Sequence, residues 1–352
     1  MKKVFYAGLL LLAGLSGCQE APAPGPADER ILLENRDLSL EVVSAAVPNF
    51  VQALHFRDAL AGVAATGDGK IYQTADAGAT WSLRYTNPSA NQPWRQILFT
   101  SAAVGYVVGG SVGCTGPACD DPRGRIVKTT DGGATWTSIL PVRDGEVTSI
   151  AANSVGELFV VINGVSGQIL KSPDAGASWV PVASLPFQLT KIAFDQQTGF
   201  CSGGLGGAGE GGKIVRSRDD GRTWAVAVIV GDYRYLSELA VKAGVGYCVA
   251  GYSKVYRTAD QGSSWRPTST TRFSANVVQP LTSSSCLLLG AGTYSGGDFG
   301  VFNGSIRQTK DAGATWTESV LPGVSPVNSA SFYAPTAGYA VAGNKLIQVT
   351  VK

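Results

Sequence analysis

Short apolar segments alternate with turn-forming residues along most of the chain. An apolar segment at 97–99 is followed by one around a glycine–aromatic pair at 105–109, a third at 126–130, and a fourth that begins at Trp136. Short segments rich in β-branched and aromatic residues, bounded by Gly, Asp, Asn or Pro, are typical of β-strands. The same order recurs at 192–194, 199–203, 246–251 and 254–258. The pattern therefore predicts repeated units of four short strands.

An eight-residue turn with the pattern Ser/Thr-x-Asp-x-Gly-x-Ser/Thr-Trp joins the third and fourth strands. It occurs at 74–81, 129–136, 172–179, 217–224, 258–265 and 309–316. The aspartate can accept backbone N–H bonds, the glycine permits a positive φ, and the tryptophan can cover apolar surface between neighbouring sheets. We therefore interpret the turn as structural. Its aspartates and tryptophans are Asp76, Asp131, Asp174, Asp219, Asp260, Asp311, Trp81, Trp136, Trp179, Trp224, Trp265 and Trp316.

The spacing of the turns predicts the architecture. Successive turn aspartates lie 41 to 55 residues apart, which suits one four-stranded propeller blade per unit. A seventh unit at 328–352 supplies three strands and lacks the turn. The alternating segment 38–47 can add the fourth strand and close the ring. We predict an all-β, seven-bladed β-propeller closed by pairing of N- and C-terminal strands, with six blades as the alternative.

The repeated unit carries a family resemblance. The turn resembles the Asp-box, or BNR, repeat. A fuller pattern at 99–136 is similar to the photosystem II stability/assembly factor family of propellers, on Phe99, Gly105, Tyr106, Val108, Gly109, Ile126, Thr129, Asp131, Gly133, Thr135 and Trp136. The resemblance covers roughly residues 50–350. It implies a propeller that assists assembly by binding. Sialidases also carry Asp-boxes, but the match to their Phe/Tyr-Arg-Ile-Pro motif at 55–58 lacks the Ile-Pro.

The first thirty residues are predicted to be a targeting segment and a tether. Lys2 and Lys3 precede an apolar segment that ends in Leu-Ser-Gly-Cys at 15–18. This resembles the lipobox of bacterial lipoproteins, in which the cysteine is acylated; an ordinary signal peptide cleaved near Gly17 is the alternative. We expect a signal peptide at 1–17, acylated Cys18 and a flexible tether at 18–30, and one propeller domain at 31–352. The expected location is the bacterial cell envelope, lipid-anchored to a membrane.

Composition narrows the chemistry. Removing residues 1–17 leaves 26 basic and 26 acidic residues, so nucleic acid is not an expected partner. Cys114 and Cys119 share one loop and could form a disulfide, whereas a metal site there lacks further ligands. The Gly-x-Gly-x-x-Gly segment at 204–209 precedes a strand rather than a helix, so it does not predict a nucleotide site. We expect no cofactor and no metal, and His55, the single histidine, is expected to be structural.

The candidate binding site lies on one face of the predicted ring. The blade-to-blade connections and the loops between second and third strands share this face, here called the loop face. Long insertions at 109–124, 203–212 and 290–304 fall on it. Arginines beside aromatic residues recur near the starts of first strands there, a composition typical of binding hot spots. The candidate binding residues are Trp94, Arg95, Tyr233, Arg234, Arg272 and Phe273.

The sequence favours a non-enzymatic function. We expect a membrane-anchored binding or assembly-assisting propeller that recognises a protein or peptide on its loop face. A glycan-binding protein or sialidase-like glycoside hydrolase is the alternative. The convergence of three arginines would favour an acidic or C-terminal carboxylate group in the ligand.

Overall fold

Twenty-nine strands make up the described fold. The computed structural model describes residues 33–34, 37–44, 47–89, 92–111, 124–142, 145–204, 211–230, 236–251, 254–268, 273–295 and 301–352. Blades 1 to 3 comprise β3 (Val51–Phe56), β4 (Gly62–Thr66), β5 (Lys70–Thr74), β6 (Ser82–Thr86); β7 (Trp94–Phe99), β8 (Gly105–Gly110), β9 (Gly124–Thr129), β10 (Thr137–Val142); and β11 (Glu146–Ala152), β12 (Leu158–Asn163), β13 (Gly167–Ser172), β14 (Val180–Leu185). Within these ranges no helix is long and apolar enough to cross a membrane.

The remaining blades follow the same order. Blades 4 to 6 comprise β15 (Gln188–Asp195), β16 (Thr198–Gly204), β17 (Gly212–Ser217), β18 (Ala225–Val230); β19 (Leu236–Lys242), β20 (Val245–Ala250), β21 (Lys254–Thr258), β22 (Arg266–Pro267); and β23 (Ser274–Pro280), β24 (Cys286–Ser295), β25 (Val301–Thr309), β26 (Thr317–Leu321). Blade 7 comprises β27 (Val327–Ala334), β28 (Ala337–Ala342), β29 (Lys345–Val351), β2 (Leu38–Ser44) and β1 (Leu33–Glu34).

The blades form a closed ring. Neighbouring strands pair antiparallel within each blade. The first strands contact one another in the order β3, β7, β11, β15, β19, β23, β27 and back to β3. The prediction of a seven-bladed propeller is confirmed, and the six-bladed alternative is wrong.

The ring closes through a strand from the other end of the chain. Strand β2 pairs antiparallel with β29, with Leu40 opposite Val349. Leu38 and Leu40 are each 1% exposed and pack against Ile306 and Leu321 of blade 6. The segment predicted to supply this strand, 38–47, does supply it, although the strand ends at Ser44. The short strand β1 outside β2 was not predicted.

The eight-residue turns close through their side chains. In blade 2, Thr129 Oγ1 donates to Asp131 Oδ1 at 2.7 Å and accepts from Gly133 N at 2.9 Å. The backbone N–H and the hydroxyl of Thr135 both donate to the Asp131 carboxylate, at 2.9 and 2.6 Å. These bonds hold the pKa of Asp131 down at about 2, because each favours the charged form. The equivalent bonds recur in the other five turns.

One backbone feature of the turns was missed by the sequence interpretation. The residue after each turn aspartate also has a positive φ, and in five turns it is not glycine. These residues are Ala77, Gly132, Ala175, Asp220, Gln261 and Ala312, with φ between 54° and 72°. The next residue is the predicted glycine, so two consecutive left-handed residues reverse the chain.

Candidate functional site at the loop-face mouth of the channel

The structure separates two faces of the ring. The turns of blades 1, 2, 4, 5 and 6 each donate a backbone N–H to the connection between the first and second strands of their own blade. Gly132 N donates to Ala103 O at 2.8 Å in blade 2, and Gln261 N donates to Gly244 O at 3.3 Å in blade 5. We call this side the turn face. The first strands begin on the opposite side, the loop face, as the strand order had predicted.

Every first strand contains a β-bulge close to its loop-face end. The pairing with the second strand shifts by one residue at the second or third residue of the first strand in all seven blades. A bulge leaves one residue unpaired and redirects its side chain. The bulged residues are all polar, and together we call them the bulge ring: Gln52, Arg95, Thr148, Thr190, Ser237, Asn276 and Asn328.

Members of the bulge ring bind neighbouring blades to each other. Thr190 Oγ1 donates to Leu236 O of blade 5 at 2.5 Å, and Asn276 Nδ2 donates to Val327 O of blade 7 at 2.8 Å. The first strand of each blade is the end strand of its sheet, so one of its edges has no strand partner. The backbone groups along that edge need other hydrogen-bond partners. The polar bulge residues satisfy part of this requirement. They therefore have a structural role in blades 4 and 6.

Two ion pairs cross between blades near the bulge ring. Arg95 lies 3.3 Å from Glu146 of blade 3, and Lys191 lies 3.3 Å from Glu238 of blade 5. Burial raises the pKa of the Glu238 carboxyl, and the nearby Lys191 partly opposes this effect. Because Glu146 accepts from the Arg95 guanidinium, that charge is only partly available to an acidic ligand.

The bulge ring is exposed on one side only. Gln52, Arg95, Asn276 and Asn328 are exposed, whereas the members on blades 3, 4 and 5 are half-buried. The four exposed residues belong to blades 6, 7, 1 and 2, which are consecutive around the ring. The opening that the seven first strands surround on the loop face is here called the mouth, and we call these four residues the mouth arc. Within the described part of the chain, the side chains of Gln52 and Asn328 have no hydrogen-bond partner.

The predicted binding residues have different positions. Trp94 is 0% exposed, and its ring centroid lies 6.1 Å from that of Tyr85. Phe273 is 5% exposed, and the Arg307 guanidinium carbon lies 4.8 Å from the centroid of its ring. Their side chains fill the layers between blades and do not face the mouth. Arg95 is exposed there. Tyr233, Arg234 and Arg272 lie outside the described residues, as do Cys18, Cys114 and Cys119.

The mouth also contains residues that the sequence interpretation did not select. Gln52, Asn276 and Asn328 each stand directly after the first apolar residue of a first strand, and this apolar–polar pair was the available signal. Phe50 directly precedes β3, is 70% exposed and has a φ of 59°. Most of the insertion expected at 290–304 is strand, because β24 continues to Ser295 and β25 begins at Val301.

His55 lies away from the mouth. Its ring stacks on Phe99, with 4.8 Å between centroids and 13° between planes. Burial, with a smaller contribution from the Arg57 charge, lowers the pKa of His55 to about 4. The structural expectation for this residue agrees with that packing. Cys201, Cys248 and Cys286 are buried free thiols, and burial raises the pKa of each.

The described residues define a seven-bladed β-propeller with a polar mouth, and several known structures share that fold. No protein-family model matches the chain, and no curated protein sequence matches it. The structure of YCF48 bound to D1 peptide is similar, with 16% identity, a TM-score of 0.65, and coverage of 91% of this chain and 99% of that chain. YCF48 from Cyanidioschyzon merolae has 14% identity, a TM-score of 0.61, and coverage of 88% and 98%.

An enzyme is also among the similar structures. The GH74 enzyme of Niastella koreensis has 16% identity and a TM-score of 0.65, and the match covers 88% of this chain and 53% of that chain. The propeller therefore spans about half the length of that enzyme. At these identities the comparisons establish the fold, and the function has to be argued from the site.

Proposed function

We propose that this protein is a non-enzymatic binding propeller that holds a polypeptide on its loop face. The observation that carries the proposal is the mouth arc, four exposed polar residues on four consecutive blades. Three of them are amides, which both donate and accept hydrogen bonds, and the fourth is an arginine, which donates. Peptide groups present the same donor and acceptor pair. A rigid ring that displays amides at a channel mouth is therefore suited to a polypeptide main chain.

Two further considerations support binding over catalysis. One similar propeller is bound to a peptide, which makes polypeptide recognition a reasonable property to propose for this fold. Glycoside hydrolysis generally requires two carboxyl groups in acid and base roles. The two glutamates in ion pairs near the bulge ring, Glu146 and Glu238, each have a cation of a neighbouring blade as a partner.

The test replaces the two amides that have no structural partner. We expect the Gln52→Ala/Asn328→Ala variant to lose about tenfold or more of the polypeptide recovered by the parent from native cell-envelope extract, measured by quantitative mass spectrometry. The matched control is Gln196→Ala/Gln197→Ala, two exposed amides on the turn face. The melting temperatures of all three proteins should agree. Equal recovery by the mouth variant and the control would refute the proposal.

We also propose that the chain is a lipid-anchored relative of the photosystem II stability/assembly factor family. The sequence at 15–18 and the repeated unit at 99–136 support this proposal. Metabolic labelling with an alkyne fatty acid tests the anchor. The parent should carry the label and Cys18→Ser should not, and equal labelling of both would contradict anchoring at Cys18.

A further inference from the structure

Phe50 has an unusual position beside the mouth arc. It lies in the connection from β2 to β3, on the loop face, and 70% of its surface is exposed. Its φ of 59° lies in the left-handed region, which is unfavourable for a bulky side chain. Within the described residues its ring packs against no other ring. The fold thus holds an aromatic side chain in water and in a strained backbone conformation.

The backbone around Phe50 is well fixed. Phe50 O accepts from Gly67 N at 2.8 Å, which ties the connection to the hairpin between β4 and β5. That hairpin is closed by Thr66, which bonds to Asp68, and by Lys70, which lies 2.7 Å from Asp68. The exposure of Phe50 is therefore a property of an ordered turn. A strained and exposed aromatic residue held by its surroundings is a sign of a functional position.

Phe50 and the amides of the mouth arc lie together. A methyl group placed on Gly67 would be 3.6 Å from the Phe50 carbonyl oxygen and 3.6 Å from the Gln52 side chain, so both residues flank this glycine. Asn328 belongs to the preceding blade, and its strand β27 contacts β3. The charged groups of the adjacent hairpin, Lys70 and Asp68, neutralise each other. The side chain that these contacts place beside Phe50, that of Gln52, is an uncharged amide.

We propose that Phe50 is a specificity-determining anchor for an extended polypeptide segment that presents an uncharged apolar side chain. The main chain of that segment pairs with Gln52 and Asn328, and its apolar side chain packs on the Phe50 ring. Burying the ring removes apolar surface from water, which gives this position a driving force that the amides lack. The inference rests on the proposed function, because it specifies the ligand of the same mouth.

The probe is a phage-displayed library of random heptapeptides, panned separately against four purified proteins. They are the parent, Phe50→Ser, Gln52→Ala/Asn328→Ala, and Leu60→Ser as the matched control. Leu60 is 58% exposed and lies between β3 and β4, on the turn face. We expect the parent and the control to enrich the same peptides, with one recurrent apolar position. Phe50→Ser should lose that preference, and parent-selected peptides should bind it about tenfold more weakly.

The outcomes separate the two proposals. If the parent enriches no peptides, both the proposed function and this inference are refuted. If the parent enriches peptides and Phe50→Ser enriches the same set with equal affinity, only this inference is refuted. A Phe50→Gly variant guards against a trivial loss of folding. It should keep or raise the melting temperature, since glycine adopts a positive φ freely, and should still lose the apolar preference. A lowered melting temperature in that variant would indicate a structural role and overturn the proposal.

Discussion

Single side chains in this propeller are tuned by their hydrogen bonds and burial. The carboxylates of Asp131, Asp174 and Asp219 have pKa values of about 2. The unfolded chain would protonate such groups near pH 4. The stabilisation from these turns is therefore complete above about pH 4 and is lost as the pH falls through the folded value near 2. Burial lowers the pKa of the single histidine, His55, whose protonation affects stability at a higher pH than that of the turn aspartates.

The pKa of His55 can be measured directly. Its pKa is about 4 when folded, against an ordinary value near 6.5, because burial disfavours the imidazolium form. The stability contributed by neutral His55 is thus complete above about pH 6.5 and declines as the pH falls toward 4. Since the chain has one histidine, a tag-free sample should give one titrating imidazole signal by proton NMR, with a midpoint near 4. A midpoint near 6.5 would contradict the buried, stacked position.

At the scale of one element, the eight-residue turn is also a contact between blades. The glycine of each turn lies against a side chain of the preceding blade. For Gly262 this is Phe200, whose ring also meets Trp265 edge-on with 6.3 Å between centroids. In blades 3 and 4 the aromatic residue of the second strand, Phe159 or Phe200, therefore fills the space that the next turn leaves open. This contact gives the glycine–aromatic pair in the sequence a physical purpose.

A pair of glycine substitutions isolates that contact. Gly262 and Gly156 both have a positive φ, but a Cβ on Gly262 would lie 2.2 Å from Phe200 Cε1, and a Cβ on Gly156 would meet nothing within 4 Å. Both alanine variants should lose about 1 kcal/mol from the backbone strain. Gly262→Ala should lose about 1–3 kcal/mol more from overpacking. Urea unfolding of both variants measures the difference, and equal losses would show that the contact contributes nothing.

The positions of the strands explain why the sequence interpretation succeeded with the blades and yet placed two buried aromatic residues, Trp94 and Phe273, at the mouth. The repeated turns determine where strands begin, so the blade assignment followed from spacing. Trp94 is fully buried whereas its neighbour Arg95, at the bulge, is exposed, so only one residue of this pair reaches the mouth. A bulge adds one unpaired residue to a strand. The sequence pattern of one strand does not show where that residue lies, because a bulge is defined by the register with the neighbouring strand. The exposure of Phe50 depends on a backbone angle, which residue type did not indicate.

For the whole molecule, stability depends on closure between residues far apart in the chain. Strand β2 completes blade 7, and its leucines pack against both blade 7 and blade 6. This pairing joins the two ends of the ring within one sheet. A substitution that weakens the packing of β2 should therefore lower the free energy of unfolding of the whole ring.

Two leucine substitutions test this dependence. Leu40, in β2, is 1% exposed, and Leu83, in the outermost strand of blade 1, is 52% exposed. Leu40→Ala should lower the free energy of unfolding by about 2–5 kcal/mol, because it removes buried methylene groups and leaves a cavity. Leu83→Ala should change it by about 0.5 kcal/mol or less. Denaturant titration by circular dichroism is the measurement, and similar midpoints for both variants would show that β2 contributes little to closure.

The closing strand also has a consequence for biosynthesis. Strand β2 ends at Ser44 and its partner β29 ends at Val351, so one leaves the ribosome long before the other. At a translation rate of about 5–20 residues per second, the interval is roughly 15–60 s. Throughout that time β2 has no native partner on the β29 side, and the residues of blades 6 and 7 that cover Leu38 and Leu40 are made last. The nascent chain therefore needs protection from mispairing until its last strand has been made.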